Sequence, residues 1–190
     1  MTSSLRNLLD SATALKRLIK GIICWIRREP PITWDTISDT DIVTLLGKDD
    51  PVILDIGSND GSHTAWFLKL FKNARIFSYE PDPRARERYL ARIDDPRAVL
   101  FDLAISDRNG YIDFHVSSGT PPADSGSAEI KGADWDQSGS TRAPKKHLDR
   151  YPWCRFDEKI AVATKTLDDW AAEQGIRTVD LIWADVQGCL

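Results

Sequence analysis

The sequence predicts an α/β protein: a Rossmann-like parallel sheet with flanking helices. Short apolar runs alternate along the chain with stretches of helical spacing. A glycine-rich turn at residues 57–61 follows the first run, and the acids Glu80 and Asp185 stand at the ends of two later runs. Because strands joined by helices make right-handed crossovers to parallel neighbours, we expect the carboxyl ends of these strands to share one edge of a sheet.

The N-terminal part of the chain, residues 1–48, is predicted to be an amphipathic helical segment. Apolar residues recur at helical spacing through residues 5–26, interspersed with arginine and lysine. A Pro-Pro pair ends this helix, and Asp39 or Thr40 caps a second, short helix that ends at Gly47. The first helix either lies on an anionic membrane surface or packs on the rest of the chain or on a sister subunit, and we favour packing.

The turn after the first strand carries the strongest functional signal. Residues 52–56 are predicted as a buried strand, followed by the turn and a mostly buried helix. Gly57 and Gly61 let the backbone turn sharply and approach a ligand, because a Cβ at either position would obstruct both. A second strand, residues 75–79, ends at Glu80, where a carboxylate can accept hydrogen bonds from two ribose hydroxyls. This pattern predicts a site for an adenosine-containing cofactor.

The charge of the turn distinguishes between the candidate cofactors. Dinucleotide enzymes use G-x-G-x-x-G, in which the middle glycine admits a pyrophosphate. Here Asn59 occupies the middle position and Asp60 adds a negative charge. A carboxylate repels a pyrophosphate but attracts a sulfonium or an ammonium. The turn therefore favours S-adenosyl-L-methionine over NAD.

Residues 49–190 form the predicted cofactor-binding domain. A charged helix follows Glu80, and residues 98–101 are predicted as a buried strand. Residues 111–116 alternate between apolar and polar and predict a half-exposed strand. The long loop predicted at 117–158 is rich in Ser, Gly, Pro and Asp, which is typical of a lid, a binding loop or a disordered segment.

After the loop, the alternation of strand and helix resumes. Residues 159–163 are predicted as a strand, and Thr166 caps a helix that ends at Gly175. The last predicted strand, residues 179–186, carries Asp185 near its carboxyl end. This strand extends the predicted parallel sheet.

Composition and charge narrow the class of protein. The chain has 190 residues, of which 42% are hydrophobic and 28% are charged, as in an ordinary globular protein with one main core. A net charge of −4 opposes nucleic-acid binding, which requires a basic face. The three scattered cysteines match neither a disulfide framework nor a zinc site, so we expect a cytoplasmic protein. If the first helix binds lipid, we expect the protein to lie at the inner face of the membrane.

Five motifs occur in the order and spacing of a known family: D-I-G-S-N-D-G, Y-E-P-D-P, L-A-I-S-D-R-N-G, T-L-D-D-W and D-L-I-W-A-D-V-Q-G. From residue 52 to residue 188 the chain resembles the FkbM-type S-adenosylmethionine methyltransferases. Residues 134–148 also resemble a loop of one branch of that family. The resemblance implies a class I methyltransferase fold and methyl transfer to oxygen, on a hydroxyl of a sugar or a small polyketide-like metabolite.

The resemblance also implies roles for individual residues. Glu80 is expected to hold the ribose hydroxyls, and Asp185 to face the transferred methyl group. Asp102 and Ala104 are expected to meet the adenine edge. The methionine and sulfonium end is implied to be lined by the acid of the first strand and by the turn: Asp55, Gly57, Ser58, Asn59 and Gly61.

The sequence departs from the family pattern near its end. Trp183 stands where the family often has lysine, and Gln187 stands where it often has glutamate. A neutral amide cannot act as a base, so no base is expected at residue 187. The class I sheet has further strands beyond this point, so we expect a truncated member whose C-terminal strands are missing.

Methyl transfer to a hydroxyl benefits from a general base, and three residues are candidates. Asp185 is the first choice, because α/β sites gather at carboxyl strand ends. His63 opens the helix after the turn, and His147 lies in the long loop beside basic residues. No grouping of His, Asp and Glu has metal-ligand spacing, so we expect no metal.

The expected partner is a small-molecule or glycan hydroxyl acceptor, and not a nucleic acid. Self-association into a homo-oligomer remains open, as does a peripheral membrane contact through the first helix. Trp135, Trp153 and Tyr151 could stack on a sugar, but we expect them to anchor the loop. Two alternative functions remain: an inactive, truncated cofactor-binding remnant, and a NAD-binding oxidoreductase.

Overall fold

The computed structural model describes residues 37–122 and 134–186. The chain divides into two compact units, residues 1–42 and 43–190. The predicted N-terminal amphipathic helix lies outside the described residues. None of the described helices has the length and hydropathy needed to cross a membrane.

The described elements alternate between strand and helix, except that three strands follow one another between residues 98 and 118. The helices are α1 Asp39–Leu46, α2 Ser62–Leu70, α3 Pro83–Arg92, α4 Lys146–Arg150 and α5 Leu167–Gln174. The strands are β1 Val52–Ile56, β2 Arg75–Tyr79, β3 Ala98–Phe101, β4 Ala104–Ile105, β5 Gly110–Ser118, β6 Arg155–Lys165 and β7 Leu181–Ala184.

Helix α1 begins one residue earlier than its predicted cap implied. The Ser38 hydroxyl accepts a hydrogen bond from the backbone N–H of Asp41 (3.2 Å), and the Asp41 carboxylate accepts one from the N–H of Ser38 (3.0 Å). This reciprocal pair satisfies two free donors of the first turn, so Ser38 is the cap in place of Asp39 or Thr40. Gly47, at φ +60°, ends the helix as predicted.

Four parallel strands form the main sheet in the order β3-β2-β1-β7. Ile56 of β1 is level with Tyr79 of β2 and with Ala184 of β7, so these three strands end together. The Asp180 carboxylate, just before β7, accepts the backbone N–H of Val52 at 2.8 Å and fixes the start of β1 beside β7. The predicted Rossmann-like parallel sheet is confirmed.

Helices cover both faces of this sheet. On one face, Thr64 of α2 and Tyr89 of α3 reach Ser78 of β2, with hydroxyl oxygens 2.9 Å from the Ser78 Oγ in each case. On the other face, the buried ring of Trp170 in α5 packs edge-on against Phe77 and Tyr79, at centroid distances of 5.0 and 5.4 Å. Thr166 caps α5 by accepting the N–H of Asp169 (3.1 Å), as predicted.

A second sheet of three strands, in the order β4-β6-β5, was not predicted. β5 and β6 are antiparallel, and β4 pairs in parallel with the end of β6. Both long strands extend into the loop predicted at 117–158, which also contains α4. The alternating exposure predicted for residues 111–116 is found only in part: residues 110–113 are mostly exposed, whereas Phe114, His115, Val116 and Ser117 are all buried.

Candidate functional site

A cavity of about 800 Å³ opens at the carboxyl ends of β1, β2 and β7, where parallel α/β sheets bind ligands. One wall consists of the glycine turn and the strand ends beside it. This wall includes residues that the sequence singles out: Gly57, Ser58, Asn59, Glu80, Ala104 and Asp185. Asp55, Gly61 and Asp102 are not among the lining residues.

The backbone of the glycine turn is shaped by left-handed residues. Gly57 has φ +81°, and a Cβ there would lie 2.3 Å from the carbonyl oxygen of Asp185. Gly61 has φ +79°, and a Cβ there would meet the ring of Tyr89 at 2.9 Å. Only glycine fits both the dihedral angle and the space at these positions. Gly61 therefore serves the packing of α2 on α3 rather than the cavity surface.

Glu80 is held in place by the turn itself. One carboxylate oxygen accepts the backbone N–H of Asn59 (2.9 Å), and the other accepts the N–H of Asp82 (2.8 Å). Asn59 takes φ +45°, a strained value for a residue other than glycine, and its N–H thereby points to Glu80. Burial, with the side chain only 6% exposed, raises the pKa of Glu80 to about 7. The charge of Glu80 is therefore sensitive to pH near neutrality.

Asp55 lies beneath the cavity. It is fully buried, and its Oδ2 accepts a hydrogen bond of 2.6 Å from the Thr64 hydroxyl. Its Oδ1 has no hydrogen-bond partner among the described residues, and the same is true of the buried Ser58 hydroxyl. Burial raises the pKa of Asp55, and the charges of His63 and Asp185 also act on it. Asp55 thus joins β1 to α2 and lies close to two side chains that line the cavity.

Asp185 and His63 line the same end of the cavity. The backbone N–H of Asp185 donates to the carbonyl of Ile56 (3.0 Å), which fixes this exposed residue beside the glycine turn. The half-buried ring of His63 lies 5.1 Å from the ring of Trp183, the residue that departs from the family pattern. His147, in contrast, packs on Tyr151 and Phe156 outside the cavity.

Asp102 lies away from the cavity although Ala104 lines it. The Asp102 side chain is 67% exposed and forms an ion pair with Arg86 of α3. The neighbouring residues that do face the cavity, Leu103 and Ile105, are apolar. The implied contact between Asp102 and an adenine edge therefore lacks support in this arrangement.

Another part of the cavity lining was not assigned to the site from the sequence. We call it the loop wall; it comprises residues 134–139, and those lining the cavity are Asp134, Trp135, Asp136, Gln137 and Gly139. Asp136, with a side chain 2% exposed, pairs with Arg88 of α3. The Trp135 ring lies edge-on to Trp153 at 5.2 Å, and its N–H donates to Ser138, as expected of an anchor. The sequence signal for this wall was the resemblance of residues 134–148 to a loop of one branch of the family, but nothing in the sequence showed that these residues lie beside the sheet.

The charges near the turn are partly paired. Asp60 is the acid of the glycine turn whose charge was expected to attract a sulfonium. Its carboxylate accepts hydrogen bonds from Ser62 and lies 2.8 Å from a guanidinium nitrogen of Arg92. The described residues contain no cluster of three or more His, Cys, Asp or Glu side chains arranged to hold a metal ion. The site is thus a cavity with polar and apolar lining, in which Glu80 and Asp185 lie at the ends of parallel strands.

Comparison with known proteins agrees with this arrangement. A family model of the FkbM methyltransferase domain matches residues 55–189. The chain is similar to a 2-O-methyltransferase, NoeI, of Sinorhizobium fredii (strain NBRC 101917 / NGR234), with 53% identity over 148 residues. That match covers 77% of this chain and 57% of the relative, so the chain spans little more than half the length of that relative.

Two solved structures also show distant similarity. One is a putative methyltransferase from an antibiotic biosynthesis pathway of Anabaena variabilis ATCC 29413, with 21% identity and a TM-score of 0.30 over 35% of this chain and 25% of that one. The other is a putative S-adenosylmethionine-dependent methyltransferase from Listeria monocytogenes, with 11% identity and a TM-score of 0.29 over 73% and 78%. The family model, which covers most of the chain, is the finding that assigns it: this protein belongs to the FkbM methyltransferase domain family.

Proposed function

We propose that this protein is an S-adenosyl-L-methionine-dependent O-methyltransferase that acts on a hydroxyl of a sugar or a small metabolite. The observation that carries the proposal is the shared cavity of a glycine turn and two strand-end acids, Glu80 and Asp185. Carboxylates attract the positive charge of a sulfonium methyl donor. The hydroxyls of its ribose need a hydrogen-bond acceptor at the end of the neighbouring strand.

The cavity residues fit such a cofactor. The close approach of Gly57 to Asp185 gives a backbone surface free of side chains on which a ligand can lie. The Ser58 hydroxyl and the Asp55 Oδ1 are buried polar atoms without described partners, and buried polar atoms normally have partners. We assign the methionine end to Gly57, Ser58 and Asn59, with Asp55 beneath them.

Glu80 and its neighbours fit the other half of the cofactor. Each Glu80 oxygen already accepts one backbone N–H, which leaves a lone pair on each for a ribose hydroxyl. Pro81, Leu103, Ala104 and Ile105 provide apolar surface beside it for a base. We call this part of the cavity, from Glu80 to residues 103–105, the adenosine end.

Asp60 contributes less than the sequence argument assumed. Its negative charge is largely offset by Arg92, with which it forms an ion pair. Attraction of a sulfonium therefore rests on Asp185, which lines the cavity, and on Asp55 beneath it. The preference for S-adenosylmethionine over NAD therefore rests on Asp185 and Asp55 together and not on Asp60 alone.

When bound, S-adenosylmethionine would supply an electrophilic methyl group: the acceptor hydroxyl oxygen attacks the methyl carbon in line, the carbon–sulfur bond breaks, and the neutral thioether S-adenosylhomocysteine leaves. The chain's contribution is to align the acceptor and to take its proton. We assign the proton to the Asp185 carboxylate, because it is exposed at the cavity surface. His63 lines the same end and is the alternative base.

The class of acceptor follows from the relative and from the cavity. The relative's name describes methylation at an oxygen numbered 2, which supports a hydroxyl acceptor for this chain. The cavity volume of about 800 Å³ lies within the usual range for small-molecule sites. The net charge of −4 opposes a nucleic-acid partner, and the scattered cysteines suit the reducing cytoplasm.

Calorimetric titration of the chain with S-adenosylmethionine, S-adenosylhomocysteine and NAD tests the cofactor. We expect the first two to bind and NAD to bind at least tenfold more weakly. Incubation with S-adenosylmethionine and a panel of free sugars and glycans, with release of S-adenosylhomocysteine as the readout, then tests the reaction. Binding of NAD without binding of either methionine derivative would overturn the proposal in favour of an oxidoreductase.

A further inference from the structure

The adenosine end of the cavity is apolar on the side where the sequence predicted a polar contact. Leu103, Ala104 and Ile105 line it, and Phe114 of β5 lies in one apolar cluster with Ala104. Asp102 is directed away and is paired with Arg86. An adenine base on this surface therefore needs hydrogen-bonding partners from another segment of the chain.

The loop wall lies at this same end. A Cβ on Gly139 would come within 2.4 Å of the Phe114 ring, so the backbone of the loop wall passes directly over that ring. The buried charge of Asp136 is one of those that act on Glu80. Both observations place the loop wall close to the adenosine end.

The loop wall is held firmly before any ligand binds. Its anchors lie on α3, on β5 and on the residue after β5: the Arg88–Asp136 ion pair, the Gly119 N–H to Asp134 Oδ1 (2.9 Å) and the Ser138 N–H to Ser117 Oγ (3.1 Å). Directly after the loop wall, Ser140 forms two backbone hydrogen bonds with His115 of β5 (2.8 and 3.1 Å). Side chains on such a preorganised wall lose little freedom when they bind a ligand.

Most polar side chains of the loop wall are already engaged. Asp134 and Asp136 accept the anchoring bonds, and the Trp135 N–H donates to Ser138 at 2.8 Å. Gln137 is exposed and lines the cavity, and none of the hydrogen bonds found among residues 37–122 and 134–186 uses its side chain. Gln137 is thus an exposed polar side chain of this wall that is available to a ligand and, unlike Asp134, can both donate and accept hydrogen bonds.

A primary amide matches adenine. The amide oxygen of glutamine accepts from the 6-amino group while the amide NH₂ donates to a neighbouring ring nitrogen, a two-bond pairing used in the recognition of adenine in DNA. We propose that Gln137 binds the adenine base of the cofactor in this way, with the base lying against Leu103, Ala104 and Phe114. The assignment rests on the proposed function and gives the adenine-binding role to the loop wall in place of Asp102.

Titration with two ligands tests this role: S-adenosylhomocysteine, and its 6-deamino analogue, whose purine lacks the amino group. We expect the wild-type chain to prefer S-adenosylhomocysteine by about tenfold, and Gln137→Ala to lower that affinity by about tenfold and to bring the ratio between the two ligands close to one. Gln137→Glu keeps an acceptor for the amino group but loses the donor, so its affinity falls while the preference persists.

Gln174→Ala is the matched control, because Gln174 is an exposed glutamine at the end of α5 that does not line the cavity. It is expected to bind both ligands as the wild type does. If Gln137→Ala, folded by circular dichroism, keeps the wild-type affinity and ratio, this inference is wrong and the proposed function stands. If the wild-type chain fails to bind S-adenosylhomocysteine at all, the proposed function itself fails.

Discussion

Gly57 and Asp185 come into contact through their backbones, although they lie in different loops of the fold. A Cβ on Gly57 would lie 2.3 Å from the carbonyl oxygen of Asp185 and 3.3 Å from a methyl carbon of Val186. The glycine turn and the end of β7 are therefore one continuous surface of the cavity. Any side chain at residue 57 has to displace the residue that we assign as the base.

Gly57→Ala is expected to damage both folding and binding. The left-handed φ alone costs about 1–2 kcal/mol, and the clash with Asp185 adds to it. Gly175→Ala is the matched control, because Gly175 also has a left-handed φ of +64° but has open space around its Cβ position. We expect urea unfolding to show a larger loss for Gly57→Ala, and titration to show that only this variant loses S-adenosylhomocysteine. Equal losses in both variants would contradict the predicted clash.

Glu80 makes the stability of the unliganded protein depend on pH. Its pKa is about 7 in the folded chain against an ordinary 4.5, so between those values the folded state holds more protons than the unfolded chain. The free energy of unfolding therefore falls as pH rises from about 4.5 to 7, by roughly 2–3 kcal/mol for this group. Denaturant unfolding at pH 5 and pH 8 measures the change. Glu80→Gln should remove that part of the slope, and an unchanged slope would refute the prediction.

The same group should make cofactor affinity change with pH in the opposite direction. The ionised carboxylate accepts two ribose hydroxyls better than the protonated form does, so affinity for S-adenosylhomocysteine should rise between pH 6 and pH 8. Calorimetry in buffers of different ionisation enthalpy should detect proton release on binding at pH 6.5. In Glu80→Gln we expect weaker binding without this proton release. Proton uptake by the wild type would contradict the assigned role of Glu80.

Asp55→Asn tests whether a buried carboxylate attracts the sulfonium. An asparagine oxygen can still accept the Thr64 hydroxyl, so the link between β1 and α2 is kept while the charge is removed. At pH 8 we expect the affinity for cationic S-adenosylmethionine to fall about tenfold, and the affinity for the uncharged thioether S-adenosylhomocysteine to fall much less. Asp113→Asn, an exposed acid on β5, serves as the control. Equal losses for both ligands would show that charge is not the cause.

Asp185→Asn and His63→Gln distinguish the two candidate bases. Loss of a general base lowers kcat by about 10²–10⁴ and removes the acidic limb of the pH–rate profile. We expect this result for Asp185→Asn, and only a few-fold change in kcat for His63→Gln, whose ring packs on Trp183. The reverse pattern would make His63 the base. Single-turnover rates at saturating S-adenosylmethionine separate the chemical step from binding.

Local signals in the sequence were sufficient for the turn and the helix caps. The start of β1, the sharp turn at Gly57 and Gly61, and the Thr166 cap each depend on a few adjacent residues. The position of Glu80 was also predictable. The second strand of a Rossmann-like unit lies parallel to the first, so the residue after it lies at the same edge of the sheet as the glycine turn. The cap of α1 was missed by one residue, since Ser38 competes with Asp39 and Thr40 for the same position.

Contacts between distant segments could not be predicted. Ala104 of β4 pairs with Thr164 of β6, a residue 60 positions later, and this pairing belongs to the second sheet. The sequence suggested a single sheet. Asp102 was expected at the adenosine end, but Arg86 pairs with it outside the cavity. The loop wall has no periodicity of its own and becomes part of the site only through its anchors on α3 and β5, which no local pattern encodes.

The pairing of β1 with β7 has a consequence for how the site forms. The hydrogen bond from Val52 to Asp180 spans 128 residues, and the glycine turn follows the first of these strands while Asp185 follows the last. Such long-range closure is slow, because the entropy of the intervening loop must be lost before the contact forms. During synthesis on the ribosome, we therefore expect the wall of the cavity formed by the glycine turn to stay incomplete until β7 has emerged, so that the proposed cofactor site forms late.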